Sequence, residues 1–346
     1  MSQSNDAEAR LYNHTDQLLK GHETLLRDAR RNQVFYQALA ATVTNDSHVL
    51  DIGSGSGIWA VAAARLGARR VVAIEHEPLL IGVIREFARE SGVAEKITVI
   101  QGDSRAVDLA REFDVVISET LGHLIFDEPL LPVMIDARER FLKSEGTLIP
   151  QSVSLVAAGA HLREPDDDLP VGIPLSHRGL AKLALNIPVG LSDQSDRKGL
   201  TILTEARELV QVDLRSAGTA PDLSDLTANW ESADVSQINC FAVWAEIQVT
   251  RDLRLRTIET TSWMPMIYRI KPFHPPQGAL KFVLTLTGKS NYWTASLAGG
   301  ELQEEQNYSP AQAATELVAG SRDESERLTR SRDLTGRSLS GRTFGA

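Results

Sequence analysis

From residue 48 onward, short apolar runs alternate with longer segments whose apolar positions recur at helical spacing. Residues 48–52 predict a strand, and residues 58–66 a helix closed by Gly67. A second strand follows at 71–74, a helix at 79–91 closed by Gly92, and further strands at 97–101 and 113–118. Ahead of these, Leu25, Leu26, Val34, Phe35, Leu39 and Ala40 predict one or two helices within residues 23–42. Strands alternating with helices at this pitch pair in parallel through right-handed crossovers. The fold class expected for residues 21–150 is therefore a doubly wound, Rossmann-like α/β domain with preceding helices.

After Pro150 the pattern changes to strict alternation, as in Phe241, Val243, Ala245, Ile247, Val249 and again in Leu280, Phe282, Leu284, Leu286. Such alternation suits antiparallel strands and places a β domain over residues 151–302. Within it, residues 163–199 are rich in Pro, Gly and Asp and read as an insertion. Residues 303–346 form a polar tail with too few apolar positions for a core of its own, and residues 1–20 are expected to be a flexible amino-terminal segment.

Composition narrows the function classes. At 346 residues the chain suits two domains, and no apolar stretch is long enough to cross a bilayer. The formal net charge of -10 argues against a nucleic-acid backbone as partner and favours a cationic one. The single cysteine, Cys240, forms no internal disulfide and has no metal-ligand spacing around it, so a reducing, cytoplasmic setting and no metal are expected.

The turn Gly53-Ser54-Gly55-Ser56-Gly57 lies between a strand and a helix, where backbone N–H groups can meet a ligand closely. Dinucleotide binding is its main rival, because Gly55-x-Gly57-x-x-Ala60 with Glu75 downstream fits a loose version of that pattern. Asp51 decides against it. An anion at the strand end, immediately before the turn, suits a ligand with a cationic end, such as the ammonium of S-adenosylmethionine, and not a pyrophosphate. Glu75 then stands where ribose hydroxyls would be bound, with His76 beside it, and Asp103 and Ser104 stand where an adenine edge would lie.

The segment after the strand at 113–118 reads Glu119-Thr120-Leu121-Gly122-His123-Leu124-Ile125-Phe126-Asp127-Glu128. Two acids returned to one place beside the cofactor would repel each other, and a guanidinium relieves that repulsion by offering a planar fork of donors to both carboxylates. Glu119 and Glu128 are thus the candidate catalytic pair. His22 and His123 also fall near the site in this reading.

The chain resembles the protein arginine methyltransferase family over most of its first 300 residues. The resemblance runs from His22-Glu23-x-Leu25-Leu26-x-Asp28-x-x-Arg31 through the glycine turn, Glu75 and the Ser118-Glu119 loop to Thr261-Ser262-Trp263. It implies that Glu119 and Glu128 bind the substrate guanidinium and that Arg31 binds the methionine carboxylate. It also implies a β-barrel after the α/β domain, with a dimerisation arm at about 163–199 and a homodimer. The chain departs from the family pattern where only Tyr12 matches the amino-terminal tyrosines, where Ser262 replaces a histidine and where Thr120 replaces an aromatic. Tyr12, Ser262 and Trp263 are the expected substrate-pocket residues. The acceptor is arginine in a protein or peptide, or a small guanidino compound. The alternatives are a catalytically silent homodimeric scaffold and a methyltransferase for a non-guanidino molecule.

Overall fold

A computed structural model describes residues 2–126, 128–163, 185, 187–192, 197–274, 277–287, 291–299 and 302–308. The chain begins with two helices, α1 (Ser2–Arg27) and α2 (Ala29–Thr42). Helix α1 replaces the flexible segment expected for residues 1–20. Leu11, Leu18 and Leu25 recur every seven positions, as do Tyr12, Leu19 and Leu26, and no proline interrupts them, so the stretch holds a helix despite its polarity. The break falls at Asp28, whose side chain accepts the Arg31 N–H at 3.0 Å and caps α2.

The α/β unit then runs β1 (His48–Ile52), α3 (Ile58–Arg65), β2 (Arg70–Glu75), α4 (Pro78–Glu90), β3 (Ile97–Gln101), β4 (Phe113–Ser118), α5 (Leu130–Arg140) and β5 (Leu142–Ile149). Its five strands pair in parallel in the order β3-β2-β1-β4-β5. The order in which strands are added reverses at β1, so a crevice opens at the carboxyl ends of β1 and β4, where such sheets bind ligands. Ile52 lies opposite Ser118 in that register, and Ser118 Oγ donates to the Ile52 carbonyl at 2.9 Å, tying the two strand ends together.

The antiparallel domain is built as two sheets. One follows the path β7 (Val189–Gly190), β13 (Met266–Arg269), β11 (Cys240–Thr250), β6 (Ser152–Leu162), β8 (Leu200–Ile202), with β12 (Leu253–Arg256) on β11 and β9 (Arg207–Asp213) on β6. The other is β10 (Leu226–Asp234), β14 (Gln277–Leu286), β15 (Asn291–Gly299), β16 (Leu302–Tyr308). The sheets pack through aromatic rings: Phe241 stacks on Phe282 at 4.3 Å and Tyr268 meets Trp293 edge-on at 5.1 Å. Along β11, residues 240–245 are buried on both faces because a second cluster, with Trp244 and Ile267, covers the other side.

Two expectations shift. Residues 303–308, assigned to the polar tail, belong to β16, where pairing with β15 supplies the order that their Gln-Glu-Glu-Gln-Asn composition does not. The remainder of the tail lies outside the described residues, as do residues 164–184, 186 and 193–196 of the expected dimerisation arm. What is described of that insertion is attached to the sheet, with β7 pairing β13. Among the described residues no helix is long and apolar enough to cross a membrane.

Candidate active site

The carboxyl ends of β1, β2 and β4 open into one cavity of about 850 Å³, flanked by α1 and by the loop between β12 and β13. It is lined by the glycine turn, Glu75 and His76, Arg31, Glu119 to His123, Glu128, and Thr261 to Met264. Strand register explains the convergence, because Ile52, Glu75 and Ser118 all stand at the same edge of the parallel sheet.

At the glycine turn, Gly53 and Gly55 have φ of +68° and +58°. A Cβ at Gly53 would sit 2.4 Å from Thr120 Cγ2, and one at Gly55 would sit 2.7 Å from His22 Cε1, so both positions need a residue without a side chain. Gly57 does not line the cavity; its α-carbon packs on α4, where a Cβ would press on Ile84 at 3.0 Å. Below the turn, Asp51 is fully buried, its Oδ2 accepting from Ser54 Oγ at 2.5 Å and Ala60 N at 3.0 Å, while Oδ1 has no partner. Burial pushes its carboxyl up to about 7, against the pull of those two hydrogen bonds. Glu75 accepts from Gly55 N at 2.7 Å and from Glu77 N at 2.9 Å, with His76 Nδ1 at 3.1 Å. His22, facing Gly55, is lowered below the usual histidine range, chiefly by burial.

Arg31 is the most enclosed cation of the site, 2% exposed. Its guanidinium lies between the indoles of Trp59 and Trp263, at 5.3 and 5.6 Å from their centroids, and its Nη2 pairs with Glu119. Nη1 donates to Asn32 Oδ1 at 2.6 Å, and Nε is buried without a partner. Burial lowers Arg31 to about 10, so it stays charged near neutrality. The resemblance implies that Arg31 meets a ligand carboxylate; here it is first a partner of Glu119. Glu128 stands exposed at the same cavity. The turn between the two acids carries Ile125 at φ +67°, a left-handed conformation costly for a β-branched residue.

The loop 260–264 is shaped by side chains from elsewhere in the chain. Asp28 Oδ2 accepts from Thr261 N at 2.9 Å, Ser262 N at 2.8 Å and Ser262 Oγ at 2.6 Å. Burial alone would raise Asp28, and these bonds together with that from Arg31 N–H hold it below the usual carboxylate range. Trp263 Nε1 donates to the Leu121 carbonyl at 3.0 Å, and Met264 N donates to His123 Nδ1 at 3.2 Å.

Of the residues expected from sequence, Arg31, Gly53, Gly55, Glu75, His76, Glu119, Glu128, Ser262 and Trp263 line this cavity, and Asp51 lies directly beneath its glycine turn. Tyr12 does not; it is 71% exposed on α1, and His14 and Leu18 of the same helix face the cavity instead. Asp103 is turned away too, held to about 2 by its hydrogen bonds from Arg105, which donates through Nη2 at 2.6 Å and Nε at 3.1 Å. Ser104 is buried, with its carbonyl accepting from Arg140. Sequence reasoning missed Trp59, Glu77 and the tethering role of Asp28. Glu77 takes His14 at 2.9 Å, joining α1 to the start of α4 across the cavity. An aspartate three residues before a helical arginine is an N-cap signal that points to Asp28; nothing local points to the other two.

The arrangement offers two chemically distinct ends. One has a buried unpartnered acceptor, Asp51 Oδ1, and a buried unpartnered donor, Arg31 Nε, beside a glycine turn with no room for side chains. That set fits the ammonium and carboxylate of an amino-acid ligand bound through a helix start. The other end has two carboxylates and fits a planar cation.

A family model described as "Ribosomal protein L11 methyltransferase (PrmA)" matches residues 32–152, essentially the α/β unit. The chain is 32% identical over 260 residues to an arginine N(omega)-methyltransferase of Streptomyces achromogenes subsp. streptozoticus, an alignment covering 71% of this chain and 70% of that one. It is 28% identical over 247 residues to a probable protein arginine N-methyltransferase 6.2 of Oryza sativa subsp. indica, covering 61% of the latter. Among solved structures, protein arginine methyltransferase 10 of Arabidopsis thaliana superposes with a TM-score of 0.66 at 18% identity, over 83% of this chain and 96% of that one. A Trypanosoma brucei enzyme-prozyme complex with AdoHcy gives a TM-score of 0.64 at 22% identity, over the same shares.

Proposed function

Because the chain belongs to the protein arginine methyltransferase family, within the class I S-adenosylmethionine-dependent methyltransferases, we propose that it transfers a methyl group to an ω-nitrogen of arginine. The observation that carries this reading is the single cavity joining the glycine turn to both Glu119 and Glu128.

S-adenosylmethionine, when bound, supplies an electrophilic methyl group. In this reading Asp51 and Arg31 hold its amino-acid end, supported by the unpartnered Oδ1 and Nε, and Glu75 takes its ribose, having acceptor capacity beyond the two N–H groups it already meets. Gly53 and Gly55 admit it closely.

Guanidinium is a poor nucleophile because its lone pairs are delocalised, so the chain contributes by aiming one nitrogen and fixing positive charge on the others. Glu119 and Glu128 do both through paired hydrogen bonds. As the methyl passed to that nitrogen its bond to the sulfonium sulfur would break, leaving the neutral thioether of S-adenosylhomocysteine, and the nitrogen would lose a proton. Glu119 is already paired with Arg31, and Glu128, exposed at the cavity, accepts the proton and returns it to water. Ser262 is already committed to Asp28 and takes no part in proton removal. The buried thiol of Cys240 supports a reducing compartment, and the expected homodimer belongs to the same reading.

The experiment is incubation with methyl-labelled S-adenosylmethionine and either free arginine or an Arg-Gly peptide, followed by mass analysis. A methyl group gained on the guanidino nitrogen of either acceptor supports the proposal and identifies the acceptor class. Cofactor binding with no transfer to either would point to the silent scaffold.

A further inference from the structure

Loop 260–264 carries Trp263, one of the two indoles that enclose Arg31, yet it has no regular secondary structure. Its amides are claimed by Asp28 and His123. Its carbonyls are claimed from a third direction. Arg197, just before β8, donates Nη1 to the Thr260 carbonyl and Nη2 to the Trp263 carbonyl at 2.7 Å, while its Nε donates to the Leu191 carbonyl at 2.8 Å. Leu191 is itself fastened to the adjoining strand, its N–H meeting the Pro265 carbonyl at 3.2 Å. One rigid fork thus bridges both ends of the turn that bears Trp263 and anchors them to the base of the 163–199 insertion.

The bond pattern needs a guanidinium. A lysine ammonium is a point donor on a flexible stem and cannot span three carbonyls in fixed directions. Once the loop carbonyls are fixed, the Trp263 indole is fixed too: its Nε1 reaches Leu121 O, inside the Glu119 to Glu128 loop, and its ring covers Arg31, which holds Glu119. The chain Arg197 to Trp263 to Arg31 to Glu119 is continuous.

We propose that Arg197 is a positioning residue for the guanidinium-binding end of the site, acting through Trp263. This rests on the function proposed above. Arg197 does not line the cavity and touches none of the residues at the cofactor end. Its loss therefore weighs mainly on the acceptor, reaching the donor end only through the contact of Trp263 with Arg31.

The test combines exchange, binding and kinetics on the full chain with Arg197→Gln, Arg197→Lys, Trp263→Leu and the double variant Arg197→Gln/Trp263→Leu. In Arg197→Gln, amide hydrogen exchange over residues 257–266 accelerates while residues 49–60 are unchanged. S-adenosylhomocysteine affinity falls by much less than kcat/KM does. kcat/KM for the arginine acceptor falls by up to about a hundredfold, the scale of a site displaced by about 1 Å. Arg197→Lys does not restore it. The double variant is no slower than Trp263→Leu alone, because the two changes remove one function. Unaltered exchange at 257–266, parallel loss of S-adenosylhomocysteine binding, rescue by lysine, or multiplicative effects in the double variant would each overturn the inference. A wild-type enzyme that binds S-adenosylhomocysteine but methylates no arginine acceptor would overturn the proposed function instead, and exchange would still decide the role of Arg197.

Discussion

Arg31 and Glu119 form an ion pair in which both side chains are almost wholly enclosed, 3% and 7% exposed. The two residues come from α2 and from the end of β4, so the pair also joins the amino-terminal helices to the sheet. A buried pair of this kind is costly to break from one side, because the surviving charge is left without compensation.

Removing Arg31 alone is therefore expected to harm more than removing both partners. Arg31→Met should lower unfolding free energy by about 3 kcal/mol, and adding Glu119→Gln should recover much of that loss. Urea unfolding of the two single variants and the double variant reads the coupling. Additive losses would mean that the pair is not a unit.

Asp51 makes cofactor binding depend on pH. Its folded-state value of about 7 lies above the unfolded value of 3.8, so the native state holds an extra proton between the two. Its contribution to stability accordingly falls as pH rises from the lower value to the upper. A ligand ammonium needs the ionised form. Affinity for S-adenosylhomocysteine should be about tenfold weaker at pH 6 than at pH 8, with proton uptake by Asp51 as the cause. Calorimetric titration should show proton release on binding near pH 7, and Asp51→Asn should flatten the pH profile.

The two glycines of the turn should separate in their effects. Gly55→Ala, at φ +58°, drives a methyl group toward His22 at the cavity and should abolish cofactor binding with a smaller loss of stability than Gly57→Ala, because an imidazole gives way more easily than the packed Ile84. Gly57→Ala presses on Ile84 in the core, at φ +84°, and should cost about 1–3 kcal/mol of stability. Melting curves and S-adenosylhomocysteine titrations on both variants distinguish these outcomes.

Much of this site was legible in the sequence because the α/β unit encodes it locally. A strand end, a glycine turn and a following acid are fixed by register, so Asp51, Gly53, Gly55, Glu75 and Glu119 can be placed without knowing the rest of the chain. Asp103 follows the same strand-end logic but does not line the cavity, its carboxylate being engaged by Arg105 two positions later. Tyr12 was aligned by pattern, but a helix turns about 100° per residue, and His14 and Leu18 hold the inward face. Residues 303–308 looked like tail because edge-strand polarity and disorder share a composition; only the partner strand β15 tells them apart. The ties of Asp28 and Arg197 to residues 260–263 span long sequence separations, which no local pattern encodes.

The central claim is that Glu119 and Glu128 act on the acceptor while the glycine turn and Asp51 hold the donor. It is tested most directly by measuring, on the same preparations of wild type, Glu119→Gln and Glu128→Gln, both S-adenosylhomocysteine affinity and methyl transfer from labelled S-adenosylmethionine to arginine acceptors. The expected result is wild-type affinity in both variants, with transfer reduced at least about a hundredfold, as befits loss of groups that act in the transition state. Undiminished methylation by either variant would contradict the account.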